Sequence, residues 1–344
     1  MRFSILIPVY NVEKYIEECI DSCLNQTFGD FEIIIINDGS RDGSVALCEK
    51  YKDDRIKIYH KENGGLLMAR RDAIPKAVGE YLIFLDSDDK LRPDCLETVN
   101  GIIEKKENGY DVVLYNLYNW NSDTGEEKVR KPVFEDGAVF GVENKKALLE
   151  KFLLTAELNN LVLKAVRREI AKADDTPYSE MGDSSYGEDK LQTFFIFDKA
   201  ESIYYSSEPL YYYRNNPTSI TNASVPPEKA AKQISVHIEL MSKKYMDKWG
   251  LNTEENQDIL CVRRLLFLRD IFKKSFNSCK TKEERKRCLS YDWFSLILPE
   301  NVDHLNSKKL SFLQRTELKA IYKKNYFKLN LLRIIKGFVS KLRR

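Results

Sequence analysis

Along its first ninety residues the chain alternates between two hydrophobic rhythms. Residues 3–10 form a continuous apolar run, and residues 31–37 another with four consecutive isoleucines, Ile33 to Ile36; both read as buried strands. Between them Val12, Tyr15, Ile16, Cys19, Ile20, Cys23 and Leu24 recur at helical spacing. They predict a helix over 12–25 with Asn11 as its N-cap. The same rhythms predict a helix over 44–52, a short strand over 55–60, a helix over 66–77 and a buried strand over 81–85. Strands apolar on both faces and separated by helices imply a parallel sheet covered on both sides. The expected fold class is α/β, a Rossmann-like, mostly parallel sheet with helices on both faces.

Beyond residue 90 the rhythm loosens. The pattern predicts a helix over 95–106, a strand over 111–115, hairpin and loop over 117–143 and a helix over 144–154. A polar, glycine-containing stretch over 174–187 reads as a loop. A helix over 189–197 and strands near 203–205 and 210–213 follow. Pro217, Pro226 and Pro227 then mark a boundary. Residues 1–222 are thus expected to form one domain and residues 227–344 a helical C-terminal region.

Charge changes this picture at the end of the chain. The 344 residues carry a net +2, yet residues 307–344 hold twelve Lys or Arg and one acid, Glu317, a net of +11. The remainder therefore carries −9. Phe327, Leu331, Ile334, Ile335, Phe338 and Leu342 share one helical face in that segment. Lys328, Arg333, Lys336, Lys341, Arg343 and Arg344 surround them. The combination predicts an interfacial helix on an anionic membrane surface, with packing onto residues 228–320 as the competing reading. The body has no basic stripe, which argues against nucleic acid as a partner. No stretch of about eighteen apolar residues predicts a membrane span, and the N-terminus lacks a signal-peptide pattern. The expected location is cytoplasmic, peripheral on the inner face of the cell membrane. Seven cysteines without a Cys-x-x-Cys pair and only three histidines argue against a zinc site or a disulfide framework.

Ligands of open parallel sheets bind at the carboxyl ends of the strands. Two acidic segments fall there, Asn37-Asp38-Gly39-Ser40 and Asp86-Ser87-Asp88-Asp89. A nucleotide diphosphate offers a base edge, a ribose diol and two phosphates, and a hard divalent cation held by carboxylates can stabilise it as a leaving group. Asp86 and Asp88 can divide that work, one meeting the ribose and the other a manganese or magnesium ion, with Asp89 assisting through water. A solvated turn is the plainer reading of such a cluster. An EF-hand starting at Asp86 fails, because Lys90 and Leu91 fall where a further oxygen ligand and a glycine are required. Asp38-Gly39 is equally compatible with a turn and with a carboxylate accepting the imino hydrogen of uracil. Asn63-Gly64-Gly65 reads as a turn capping the helix at Leu66. Arg70 or Arg71 on that helix either reaches a diphosphate or lies on a solvated face.

Taken together, Ser4-Ile5-Leu6-Ile7-Pro8-Val9-Tyr10-Asn11, the Asn37-Asp38-Gly39-Ser40 centre of residues 32–44, Asn63-Gly64-Gly65 to Ala69-Arg70, and Gly79-Glu80-Tyr81-Leu82-Ile83-Phe84-Leu85-Asp86-Ser87-Asp88-Asp89 resemble glycosyltransferase family 2. The resemblance is strong over residues 3–95, weaker to about Ile220, and absent beyond. It implies the GT-A fold, a nucleotide-sugar donor, a divalent metal and inversion at the anomeric carbon. By position it implies that Asp38 meets the base, Asp86 the ribose and Asp88 the metal, and that Pro8, Val9 and Tyr10 line the base pocket. Gly187-Glu188-Asp189 is similar to the family's Glu-Asp segment, which makes Asp189 the general base; helix capping is the alternative. Tyr211-Tyr212-Tyr213-Arg214 to Ser219-Ile220 is similar to the closing element, where Arg214 pairs with donor phosphates or simply lines a sheet edge. Asn160 and Lys164 fall in a stretch similar to the acceptor side. The expected acceptor is a saccharide or lipid-linked saccharide of surface polysaccharide synthesis. A nucleotidyltransferase of similar fold is disfavoured because no glycine-rich basic loop follows the first strand. Retention of the acidic positions argues against a catalytically silent nucleotide-sugar binder.

Overall fold

Four strands of the first ninety residues lie parallel: β1 (Phe3–Val9), β2 (Phe31–Asn37), β3 (Ile56–His60) and β4 (Tyr81–Phe84). β1 pairs with β2 and β4, and β2 with β3. Every residue of β1, β2 and β4 is buried, as expected of strands with helices on both faces. The computed structural model describes residues 1–181, 187–215 and 236–342. The chain divides into two compact units, Met1–Pro217 and Thr218–Arg344. Pro226, Pro227, Ser219, Ile220 and Asp183 lie outside the described residues, as does Pro217.

In the first unit the sheet runs β3-β2-β1-β4-β9-β6-β10-β5. Strand order therefore reverses between β1 and β4, the place where an open α/β sheet leaves a crevice at its carboxyl edge. The second half of the sheet is mixed. β6 (Val112–Trp120) and β10 (Ser202–Arg214) are parallel to each other. β9 (Lys164–Arg167) is antiparallel to both β4 and β6, and β5 (Lys90–Leu91) is antiparallel to β10. Two short strands, β7 (Glu127–Val129) and β8 (Val139–Gly141), pair with β6 and β10.

The pattern in the sequence predicts two short strands where β10 is one bent strand. Its register shifts on either side of Pro209, which has no N–H for the ladder. β9 has no counterpart in the predicted elements, being four residues without alternation. The first helix, α1 (Ile16–Leu24), starts four residues later than its apolar spacing implies. Asn11 does not cap it. Asn11 takes a left-handed φ of 54° and its side chain accepts from the Arg41 N–H at 2.8 Å, a conformation asparagine tolerates. Helix α2 spans Ser44–Glu49. Helix α3 (Leu66–Ala73) gives way to a 3₁₀ turn at Ile74–Lys76, where Pro75 falls. Helices α4 (Cys95–Ile103), α5 (Lys146–Leu154), α6 (Arg168–Lys172) and α7 (Glu188–Lys199) complete the unit.

The described part of the second unit is helical, with no strand among its described residues. Leu265, Leu268, Phe272, Trp293, Leu318 and Ile321 centre its core. Thr281 with Glu284, and Ser311 with Gln314, form reciprocal capping boxes that start Lys282–Ser290 and Phe312–Tyr322. The final helix, Tyr326–Leu342, buries Leu329 against that core but exposes Phe327, Leu331, Ile334 and Ile335. The side chains of Lys336, Phe338, Lys341, Leu342, Arg343 and Arg344 lie outside the described residues. Among the described residues no helix is long and apolar enough to cross a membrane, and the seven cysteines are free thiols.

Candidate active site

β2 ends at Asn37, and the next residue, Asp38, turns its buried carboxylate onto the loop beyond β3. Oδ1 accepts from the Gly64 N–H at 2.8 Å and from Lys61 Nζ at 2.9 Å, and Oδ2 accepts from the Gly65 N–H at 2.8 Å. Asn63 Nδ2 donates to the Asp38 carbonyl. Two glycines permit this closeness. Gly39 has φ 74° with Asn63 only 3.0 Å from where a Cβ would stand, and Gly65 has φ 85°. The Asp38 carboxylate thus supplies the negative charge that the N-terminus of α3 favours. Three of its roughly four acceptor positions are occupied by these donors.

At the end of β1, Pro8 and Val9 are enclosed in the sheet, and Val9 offers only its carbonyl, which accepts from the Asp38 N–H. Tyr10, 46% exposed, is the one of the three that presents a ring.

The acidic run after β4 separates into different environments. Asp89 is buried and accepts from the Tyr211 hydroxyl at 2.6 Å and the Arg214 N–H at 2.8 Å. Its carboxyl is raised well above the usual range by burial and by Asp88 and Asp86. Asp89 therefore ties the turn to β10. Arg214 backs the same turn. Its Nε donates to the Asp88 carbonyl at 2.6 Å, its second nitrogen pairs with Glu18 at 2.6 Å, and its guanidinium lies over Trp120 at 4.2 Å. Through these contacts Arg214 holds the Asp88 turn. Asp86 and Asp88 are partly exposed.

The centre of the site is Arg70 on α3. Its guanidinium is buried and meets Asp86 Oδ1 at 2.6 Å and Asp189 Oδ1 at 2.5 Å, with Glu188 at 3.7 Å. These carboxylates come from the end of β4 and from the first turn of α7. Burial raises the Asp86 carboxyl, Arg70 opposes the shift, and Asp189 and Asp88 add to it. Burial also lifts the Glu188 carboxyl to about 8, reinforced by Asp189. Arg70, expected with Arg71 as a candidate diphosphate contact, is thus paired with carboxylates. Arg71 is bound to the buried Asp174, through its carboxylate at 3.3 Å and its carbonyl at 2.5 Å.

Behind Asp189 stands a second support that sequence reasoning leaves without a role. Lys164 on β9 is buried and donates to the carbonyls of Leu158 at 2.9 Å and Asn160 at 2.5 Å. Burial pushes its ammonium down to about 7. In the same loop the Asn159 carbonyl accepts from Thr193 Oγ1, which also bonds the Asp189 carbonyl. A lysine amid an otherwise apolar stretch, Leu161 to Val166, is the only sequence signal that points to this arrangement.

Among the described residues no group of three or more His, Cys, Asp or Glu side chains is arranged to hold a metal by itself. A magnesium-like cation needs less, since one or two carboxylates plus phosphates and waters complete its shell. Asp88, beside the partly exposed Asp86 at a strand end, fits that smaller requirement.

The comparisons agree with this geometry. The family model described as Glycosyl transferase family 2 matches residues 4–170. The chain is 33% identical over 298 residues to EpsJ, an uncharacterized glycosyltransferase of Bacillus subtilis, covering 84% of this chain and 83% of that one. It is 46% identical over 96 residues to the chondroitin synthase of Pasteurella multocida, 27% of this chain and 10% of that protein. Among solved structures, residues 1–349 of S. aureus TarS share the fold with a TM-score of 0.62 at 24% identity, covering 96% of this chain and 90% of that one. TarS has also been solved in complex with UDP and with UDP-GlcNAc. With a relative of this identity matched over most of its length, the chain belongs to glycosyltransferase family 2.

Proposed function

We propose that this enzyme transfers a sugar from a UDP-sugar to a hydroxyl of a saccharide or lipid-linked saccharide, with inversion, in the synthesis of a surface polysaccharide. The observation that carries the reading is the convergence of Asp86 and Asp189 on one buried cation at the carboxyl edge of the sheet. It joins a strand-end carboxylate suited to the ribose with a second carboxylate suited to the acceptor. Asp189 Oδ1 is taken by Arg70, and Oδ2 receives no hydrogen bond among the described residues, so a lone pair is available for a proton.

In the reaction the acceptor oxygen attacks the anomeric carbon as the bond to the β-phosphate oxygen breaks. The bonding pair leaves with UDP, and Asp189 takes the hydroxyl proton. Tyr10 stacks on the base, Asp38 uses its remaining acceptor position on the uracil, and Asp86 meets the ribose. Asp88 would hold a manganese or magnesium ion, which when bound neutralises charge on the departing diphosphate. Residues 1–222 carry the donor and acceptor chemistry.

Residues 227–344 form the extension that brings the enzyme to its acceptor. The exposed row Phe327, Leu331, Ile334 and Ile335 recurs at i, i+4, i+7 and i+8, with Lys328 and Arg333 exposed at its margins. Such a face suits the anionic inner surface of a cell membrane. The name of the chondroitin synthase relative supports a polysaccharide product, and the ligands of TarS support a UDP-sugar donor.

The first experiment is thermal unfolding with UDP-glucose, UDP-galactose and UDP-GlcNAc, each with and without manganese. Metal-dependent protection by at least one donor is expected, because a ligand that binds only the folded state raises its stability. Equal melting under all conditions overturns the donor assignment.

A further inference from the structure

We infer that Arg70 is a positioning residue, the clamp that orients Asp189 as the general base and ties it to Asp86, and not a ligand of the donor's diphosphate. The inference rests on reading Asp189 as the base. Three observations carry it.

Arg70 is 1% exposed. To reach a diphosphate in the open crevice its buried guanidinium would have to leave two partly exposed carboxylates at 2.5 and 2.6 Å. Close charge-assisted pairs of this kind are costly to break. The binding of a dianionic ligand would then have to work against the site's own ion pairs.

The guanidinium also has the right shape. It is planar, and its two terminal nitrogens are held in a fixed fork. One nitrogen grips Asp86 and the other Asp189, residues that lie 16 and 119 positions away in the chain. A single rigid group therefore sets the distance between the ribose-side carboxylate and the base. A base acting on a hydroxyl needs a third group to orient it. With Oδ1 held, the rotation of the Asp189 carboxylate is restricted and Oδ2 is kept for the acceptor.

The clamp is itself positioned from the donor site. Asp38 accepts from Gly64 and Gly65, the amides that lead into α3. Arg70 stands in the second turn of that short helix, five residues after Gly65. Asp38, α3, Arg70, Asp86 and Asp189 thus form one continuous set of contacts.

The test uses the full-length enzyme, with manganese and whichever of UDP-glucose, UDP-galactose and UDP-GlcNAc it hydrolyses fastest. Arg70→Lys, Asp189→Asn and the double variant are compared for hydrolysis at saturating donor. UDP and uridine affinities are measured by calorimetry. A lysine keeps the charge and has donors enough for both carboxylates, but it is a point charge on a flexible stem and lacks the planar fork that fixes their separation. Arg70→Lys is expected to lower turnover by about 10- to 100-fold, in keeping with the cost of a misoriented group. It should change UDP and uridine affinity by the same factor, and add nothing to the loss in Asp189→Asn. A diphosphate ligand gives a different result: UDP affinity falls about tenfold or more while uridine affinity stays, and turnover at saturation is kept. That result overturns the inference, as does a double variant in which the two losses multiply. Wild-type turnover in Asp189→Asn instead overturns the base assignment, whatever Arg70→Lys does.

Should Arg70→Lys fail to fold, Arg70→Ala supplied with millimolar guanidinium is the second probe. Recovery of turnover in Arg70→Ala, and none when Asp189→Asn is added to it, supports the clamp. No recovery in Arg70→Ala overturns it.

Discussion

The two ends of this chain break the inside–outside rule in opposite directions. The sheet unit buries charge: Asp38, Arg70, Asp89 and Lys164 are each at most 3% exposed. The last helix exposes hydrophobic bulk, with Phe327 at 78% and Ile335 at 50%. Scattered exposed apolar residues are ordinary, and buried charges and contiguous exposed apolar faces are the informative departures. In the first region each buried charge has a partner within hydrogen-bonding distance, so the fold pre-forms the geometry of a reaction. In the last helix the apolar row has basic neighbours, so the surface is shaped for something outside the molecule. On the proposed function, one departure serves chemistry and the other address.

The comparison breaks most sharply at Asp189. Asp189→Asn keeps shape and helix capping but removes the proton acceptor, so turnover should fall about 10²- to 10⁴-fold. Calorimetry should find UDP–manganese affinity close to that of the unaltered enzyme. Activity near normal would make Asp189 a cap only.

Asp88→Ala comes next. The metal-dependent part of UDP binding should drop on the order of 100-fold, since a lost divalent cation removes several kcal/mol of charge stabilisation. Uridine binding should not change. An intact manganese effect in this variant would send the search for the ligand elsewhere.

For the address, ending the chain before residue 323 should release it from anionic vesicles. Each basic residue near such a surface contributes about 1 kcal/mol, and Lys323, Lys324, Lys328 and Arg333 are all exposed. Flotation with phosphatidylglycerol vesicles at low and high salt reads this directly. Equal flotation of the two chains would leave the helix as a packing element.

The smallest effect separates two buried groups by the slope of stability with pH. Glu188 sits at about 8 in the fold against an ordinary 4.5. Between those values the folded protein holds a proton that the unfolded chain has released, so stability falls as pH rises. Lys164 sits at about 7 against 10.5. Between those values the unfolded chain holds the extra proton, and stability rises with pH. Glu188→Gln should therefore flatten the decline below pH 8, and Lys164→Met the rise above pH 7. Melting temperatures across pH 5–10 measure both, and unchanged slopes would show that neither group titrates with folding.

Much of the sheet is legible from pattern. β2 coincides with its four-isoleucine run, and β1 and β4 fall within a residue of theirs. A strand buried on both faces is apolar at most positions, and its few buried polar side chains pair, as Ser4 does with Glu32. The later elements are less legible for the opposite reason. β9 is four residues with a lysine in it, and β10 contains a proline that splits its pattern. β9 carries no periodicity strong enough to read, and β10 reads as two short strands on either side of its proline.

The sequence by itself determined which residues end the strands. Asp38 and Asp86 directly follow apolar runs, and a parallel sheet sends its strand ends to one edge. It also determined that the terminal helix gathers its apolar residues on one face amid an excess of basic ones, Lys328 and Arg333 among them. What only the tertiary structure decided is which charges meet. Arg70 and Asp189 are 119 residues apart, and nothing local distinguishes Arg70 from Arg71, its neighbour on the same helix. Successive helical residues point about 100° apart. One arginine therefore enters the centre between Asp86 and Asp189, while the other turns to Asp174. Asp89 and Asp88 divide in the same way, because the strand-end turn directs the Asp89 side chain to Tyr211 in β10 while Asp88 stays partly exposed. A one-residue difference is invisible to composition and spacing, and three-dimensional packing converts it into a difference of partners and exposure.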